Sequence, residues 1–207
     1  VWKYRDLLML FVRRDFVAEY KQTILGPLWY IIQPIFTAYT YYLVLHRMGN
    51  METDGIPPFL FYIAGLTIWT YFAGCLTKTS DTFLANANIF GKVYFPRLIV
   101  PLSIIVSNLI KFGLQFILFL VFLAYFSYLD NGFTFEFRWE LLFLPIPIIL
   151  IAGLSFAMGI LISSLTTKYR DLKFALNFGV QLLMFASAVI ISFNSVSEGF
   201  RAVLKWN

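Results

Sequence analysis

Apolar residues gather in five long runs, at about 28–45, 57–76, 98–128, 141–165 and 174–193, separated by short polar segments. Each is long enough to cross a hydrocarbon layer that needs about 20 helical residues. The pattern therefore predicts an all-α polytopic membrane bundle with five spans in this chain. Ahead of the first run, residues 1–26 follow a helical rather than a continuous pattern. Tyr4, Leu7, Leu8, Phe11 and Val12 fall on one side of a wheel and Lys3, Asp6, Arg13 and Arg14 on the other, an amphipathy that erodes after Asp15. This is an interfacial helix, serving either as an anchor on anionic lipid or as a docking surface for a cytosolic partner.

Composition agrees with the runs. Hydrophobic residues make up 60% of the chain and charged residues 13%, against about 25% charged in an ordinary soluble domain. The single cysteine, Cys75, excludes an intrachain disulfide and packs as a small apolar side chain in span two. No cleavable secretory signal is evident in the charged first 27 residues.

Positive charge is distributed by parity. Lys3, Arg5, Arg13, Arg14 and Lys21 precede span one; Lys78, Lys92 and Arg97 separate spans two and three; Lys168, Arg170 and Lys173 separate four and five. The alternate segments carry Arg47 and Arg138 among Glu52, Asp54, Asp130, Glu136 and Glu140. The first set is expected inside and the second outside, with a cytoplasmic N-terminus. Segment 78–97 is too polar for lipid and longer than a turn requires. Residues around 83–90 can form a short helix across the inner face, as a lever between subunits would. Segment 166–173 is short and dense in charge. Both are otherwise solvated connectors.

The chemical inventory excludes several classes. Gly91-Lys92 is followed by Val93 and lacks the upstream glycine of a phosphate-cradling loop, so any ATP and magnesium belong to another chain and no cofactor is expected on this one. No acidic residue lies within the five runs, which argues against a proton relay. One His and one Cys cannot supply a metal site, so none is expected. His46, beside Arg47 at the outer end of span one, reads as interfacial rather than catalytic.

Polar stripes remain. Tyr30, Gln33, Thr37 and Tyr41 share one face of span one, Asn108, Lys111 and Gln115 one face of span three, and Asn177 and Gln181 stand one turn apart in span five. Each lines a polar path or bonds a neighbouring helix, and for Asn108 and Gln115 the bonding role is preferred. Lys111 must snorkel, pair or face water, which leaves a structural pairing or a substrate contact. Ser155, Gly159 and Ser163, spaced by four, read as packing. Pro34, Pro145 and Pro147 are expected to kink their helices.

Arg14-Asp15-Phe16, Tyr20-Lys21-Gln22, Leu25-Gly26-Pro27-Leu28-Trp29 and Gln33-Pro34 together resemble the N-terminal signature of permease subunits of polysaccharide-exporting ABC transporters, which move O-antigen, teichoic acid and capsular glycans. Asn86-Ala87-Asn88 with Lys92-Val93-Tyr94-Phe95-Pro96-Arg97 is similar to the family's first cytoplasmic coupling segment. Tyr169-Arg170-Asp171 with Gln181-Leu182-Leu183-Met184-Phe185 is similar to its second loop and fifth span. The resemblance implies one permease domain over 1–207, comprising an interface helix (1–26), five spans (28–193) and the start of an outer re-entrant segment (194–207). On that reading the chain is a fragment lacking a short N-terminal piece and a sixth span.

It also implies a homodimer in the bacterial or archaeal inner membrane, bound to two nucleotide-binding ATPase subunits and exporting a lipid-linked polysaccharide or polyol-phosphate polymer, with no nucleic acid involved. Coupling to the ATPases would use Phe83, Asn86, Asn88, Phe90, Lys92, Tyr169, Arg170 and Asp171. The glycan path would use Tyr30, Gln33, Thr37, Tyr41, Asn177 and Gln181, whose rings and hydrogen-bonding groups suit sugars. The rival classes are a membrane glycosyl- or acyltransferase acting on lipid-linked sugars, for which Asp81 and Asp171 stand too far apart in sequence to suggest a cluster, and a scaffold without turnover.

Overall fold

A computed structural model describes residues 4–21, 23–91, 94–129, 139–187, 189, 190 and 192. Lys92, much of the second outer segment with Arg138, and the 194–207 segment lie outside the described residues. The fold is built of helices: α1 (Arg5–Tyr20), α2 (Trp29–Tyr41), α3 (Pro58–Ser80), the single turns α4 (Thr82–Ala85) and α5 (Ala87–Phe90), α6 (Ile99–Leu129), α7 (Pro145–Thr166) and α8 (Leu172–Ala186). Among the described residues, three stretches are long and apolar enough to cross a membrane: Pro58–Ser80, Ile99–Tyr128 and Leu141–Thr166. The chain is thus a multi-pass membrane protein.

Span one is entered at Gly26, whose φ of 49° is a left-handed conformation that glycine adopts without a Cβ penalty. α2 runs through Pro34 and widens at its end into a π-helical turn, Tyr42–Met48. The widening closes with Gly49 N–H donating to Val44 O at 3.0 Å and Met51 N–H to Leu45 O at 3.0 Å. His46 is held there, its Nδ1 lying 2.9 Å from the Met51 carbonyl oxygen.

Two expectations change. Pro145 and Pro147 do not kink a helix; they stand in the first turn of α7, where backbone N–H groups have no intrahelical acceptor to lose. Span five, expected over 174–193, is helical only over Leu172–Ala186, a rise of about 22 Å against the roughly 30 Å of a hydrocarbon core. The helix ends because the chain turns back tightly, with Val189 N–H donating to Ser187 O at 2.7 Å. Gly65 makes the turn possible: a Cβ there would stand 2.2 Å from the Val189 carbonyl oxygen.

The residues form two compact units. The first comprises Val1–Gly26, Tyr71–Lys111 and Leu142–Gly179; the second comprises Pro27–Thr70, Phe112–Leu141 and Val180–Asn207. In the first, the amphipathic face of α1 packs Phe11 against Phe95, Ile99 and Val100, with Tyr4, Leu7, Leu8, Ile89 and Phe90 around them. In the second, Ala38, Leu60, Tyr62, Ile63, Leu66 and Ile190 form the core.

Candidate functional site: a charged cavity beside the interface helix

Within the first unit a cavity of about 620 Å³ is lined by residues of α1, the α3–α5 region, α6 and α8. Helical spacing aligns its walls. Ser107, Asn108 and Lys111 present one side of α6, and Lys173 and Asn177, four apart, one side of α8. α3 contributes Thr77 and Lys78, the chain beyond it Asp81, Thr82, Ala85 and Asn86, and α1 contributes Arg14, Asp15, Ala18 and Glu19.

Glu19 is the centre of the charge arrangement. Lys78 Nζ donates to both of its carboxylate oxygens at 3.3 Å, and Lys111 pairs with Oε2. The Lys111 side chain is only 11% exposed and that of Glu19 39%. Burial pushes the Glu19 carboxyl up, but the hydrogen bonds and charges of Lys111 and Lys78 outweigh it and hold the group below its ordinary value. Lys173 Nζ meets Asp81 Oδ2 at 2.6 Å, and Arg14 chelates Asp15 Oδ1 through Nε at 2.9 Å and a terminal nitrogen at 2.7 Å. The Ser107 hydroxyl, on a residue 3% exposed, finds no hydrogen-bond partner among the described residues.

Lys111 therefore takes the pairing of the two roles the sequence leaves open, and its partner comes from the interface helix. α6 rises about 46 Å, well beyond the roughly 30 Å of hydrocarbon, so a lysine in its first half need not sit at mid-membrane. The sequence reading overlooked Glu19. The signal was present: Leu8, Val12, Asp15 and Glu19 stand at i, i+4, i+7 and i+11, so the face of α1 that is apolar at its start becomes acidic at its end. The amphipathy does not erode after Asp15; it changes from apolar packing to ion pairing.

The other sequence-derived candidates are distributed as follows. Around 83–90 the chain makes two single turns rather than one helix. The break is at Asn86, whose Nδ2 donates to Thr82 O at 2.9 Å. Phe83 and Phe90 are half-buried and face each other with centroids 6.0 Å apart. The contact continues from Phe90 to Phe95 at 5.6 Å and from Phe95 to Phe11 at 5.7 Å. The exposed surface of the segment is Leu84, Ala85, Ala87 and Asn88.

Tyr169, Arg170 and Asp171 are exposed in the loop between α7 and α8. The Asp171 carbonyl accepts from Phe174 and Ala175 N–H at 3.1 Å, which starts α8 there.

Tyr30, Gln33, Thr37 and Tyr41 all lie in the second unit, with Gln33 exposed. Thr37 donates to Gln33 O at 2.8 Å. Tyr41 donates weakly to Met184 Sδ at 3.9 Å and stacks on Tyr62 at 6.5 Å. Gln181 is exposed in the same unit, whereas Asn177 lines the charged cavity of the first. The α6 stripe divides likewise. Asn108 Nδ2 donates to Ile104 O at 2.8 Å, and Gln115 Oε1 accepts from Thr70 at 2.9 Å, so Gln115 takes the helix-bonding role.

The spans and the charged cavity beside an amphipathic helix define a polytopic helical membrane chain. The sequence profile of the ABC-2 type transporter family matches residues 6–207, and the chain belongs to that family. Its relatives include two O-antigen export system permease proteins RfbA of Klebsiella pneumoniae. One is 32% identical over 206 residues and the other 30% over 204, each covering 98% of this chain and 75% of the relative. A protein of the same name from Myxococcus xanthus is 24% identical over 199 residues, covering 96% of this chain and 73% of its own length. The chain is accordingly a transmembrane permease subunit of a transporter, a class that associates with an ATP-binding partner subunit.

Proposed function

We propose that this chain is the membrane subunit of an ATP-driven exporter of a lipid-linked polysaccharide, working as a homodimer with two ATPase subunits and with its N-terminus in the cytoplasm. The observation that carries the reading is similarity over 98% of this chain to permeases named for O-antigen export. Charge partition supports the orientation: the segments before span one, between spans two and three, and between four and five all belong to the first unit, whereas Arg47, Glu52 and Asp54 belong to the second. ATP and magnesium would be held by the partner. Asn86, Asn88, Lys92, Tyr169, Arg170 and Asp171 would meet it, with Phe83 and Phe90 supporting that surface from behind. Tyr30, Gln33, Thr37, Tyr41 and Gln181 would line the glycan path.

The test is complementation of a cell whose O-antigen permease gene is deleted, together with co-purification. Restored surface glycan and an accompanying ATPase are expected. Stable expression of the chain beside its cognate ATPase and glycan pathway, without either result, would overturn the reading. Orientation is checked separately with Cys75→Ala chains carrying Glu52→Cys or Asn88→Cys. A membrane-impermeant thiol reagent should label position 52 from outside and position 88 only after lysis.

A further inference from the structure

We propose that the charged cavity is a binding site for a phosphate-class anion, and that the Glu19 carboxylate is its resting occupant. Four cationic side chains, Arg14, Lys78, Lys111 and Lys173, and three carboxylates, Asp15, Glu19 and Asp81, are among its lining residues. Two of the ammonium groups, Lys78 and Lys111, converge on the one Glu19 carboxylate. Ser107 stands one turn before Lys111 on α6, buried and with its hydroxyl unpartnered. Two cations and a free hydroxyl donor around a space of this size form a set that a phosphate fills better than a carboxylate does. A phosphate brings more negative charge and three or more acceptor oxygens to the same donors.

Glu19 is also the more exposed member of its pair with Lys111. It is carried by the last turn of α1 and is 39% exposed, whereas Lys111 is 11% exposed. Entry of a phosphate would release Glu19 and with it the end of the interface helix, so binding and α1 release are linked and each weakens the other's competitor. The phosphate could belong to a lipid-linked diphosphate or be free in solution. The lipid source rests on the exporter reading; the anion site does not.

The test uses the full-length permease in phosphatidylcholine nanodiscs, with Cys75→Ala and Asn177→Cys, and follows the rate at which maleimide modifies position 177. Inorganic pyrophosphate should slow labelling saturably. Lys111→Met should raise the half-effective concentration about tenfold, the loss of one charge-assisted contact. Glu19→Gln should lower it several-fold by removing the competitor. The double variant Glu19→Gln/Lys111→Met removes both members of the pair, leaves Lys111 absent without an orphaned carboxylate, and should show the Lys111→Met weakening in a folded protein.

Protection by farnesyl diphosphate at lower concentration than pyrophosphate, with farnesol inert, identifies a lipid headgroup; equal potency identifies a free anion. The proposal is overturned if neither anion protects, if Lys111→Met leaves protection unchanged, or if Glu19→Gln weakens it. Protection without export in the complementation assay would retain the anion site and remove the exporter reading; export without protection would do the reverse.

Discussion

In the first unit the end of α3 and the start of α4 are fastened to α7 by hydrogen bonds and close approach: Phe83 N–H donates to Ser163 Oγ at 3.2 Å, Thr166 Oγ1 to Ser80 O at 3.0 Å, and a Cβ on Gly159 would stand 2.6 Å from Thr79 Cβ. In the second unit ring contacts stand beside the Thr70–Gln115 hydrogen bond. Phe59 meets the edge of Phe122 at 4.9 Å, Tyr41 stacks on the fully buried Tyr62, and Leu118, Phe119, Leu123 and Phe126 close around them. The difference matters in lipid, where helices gain little by hiding apolar surface from one another and association depends on packing fit and hydrogen bonds. Polar fastening fixes register in the unit that carries the charged loops.

Both units depend on one glycine at a close approach, and these sites carry the largest expected effects. Gly65→Ala sets a methyl group against a backbone carbonyl at 2.2 Å, whereas Gly159→Ala meets the Thr79 side chain at 2.6 Å. Each should destabilise by about 1–3 kcal/mol as overpacking. The Gly65 variant should lose more, since backbone cannot rotate out of the way. Gly153 and Gly179 have open space, and alanine there should be neutral or stabilising by up to about 1 kcal/mol. Thermal unfolding of the purified variants ranks them. A Gly65→Ala protein as stable as Gly153→Ala would mean that the turn at 187–190 does not rest on α3.

Much of this was legible in the sequence, for reasons specific to each element. The runs over spans two to four were long and uninterrupted, so length alone identified them. Span five was read too long because its apolar composition continues past Ala186, where Val189 lies against Gly65, more than a hundred residues away in sequence. The break at Asn86 depends on a side chain capping its own helix, a local competition that composition does not reveal. Of the charged site, Lys111 was visible as a lysine in need of a partner. Glu19 was not, because a carboxylate in a charged leader looks solvated until its phase on α1 is followed.

Next in size are the polar fasteners of the first unit. Thr166→Val keeps the shape and removes the hydroxyl that reaches the Ser80 carbonyl, so a loss of about 1 kcal/mol is expected. Phe122→Leu, its counterpart in the second unit, loses an edge contact worth about 0.5–1.5 kcal/mol. The contrast is sharpest in the double variant. Effects that add within about 0.5 kcal/mol, as measured by unfolding in detergent, are expected of independent sites. A large coupling would show that the polar and aromatic regions are not independent.

The smallest expected effect is the pH response of the ion pairs around Glu19. The folded carboxyl lies below its ordinary value of 4.5 because Lys111 and Lys78 outweigh the cost of burial. The stabilisation is therefore complete above about pH 4.5 and is lost as acid protonates Glu19 in the folded state. Facing it are Lys78 on α3 and Lys111 on α6, with Arg14 and Asp15 on its own helix and the Lys173–Asp81 pair also lining the cavity. Two further carboxylates, Asp15 and Asp81, line the same cavity, so a single profile would not isolate Glu19. The informative quantity is consequently the difference between wild type and Glu19→Gln, measured by unfolding from pH 7 to pH 3.5. At pH 7 the variant should be less stable by no more than about 1 kcal/mol, since Glu19 is partly exposed and solvent screens such pairs. The gap should close as pH falls below 4.5. A gap that persists unchanged in acid would mean that Glu19 holds α1 by packing rather than by charge.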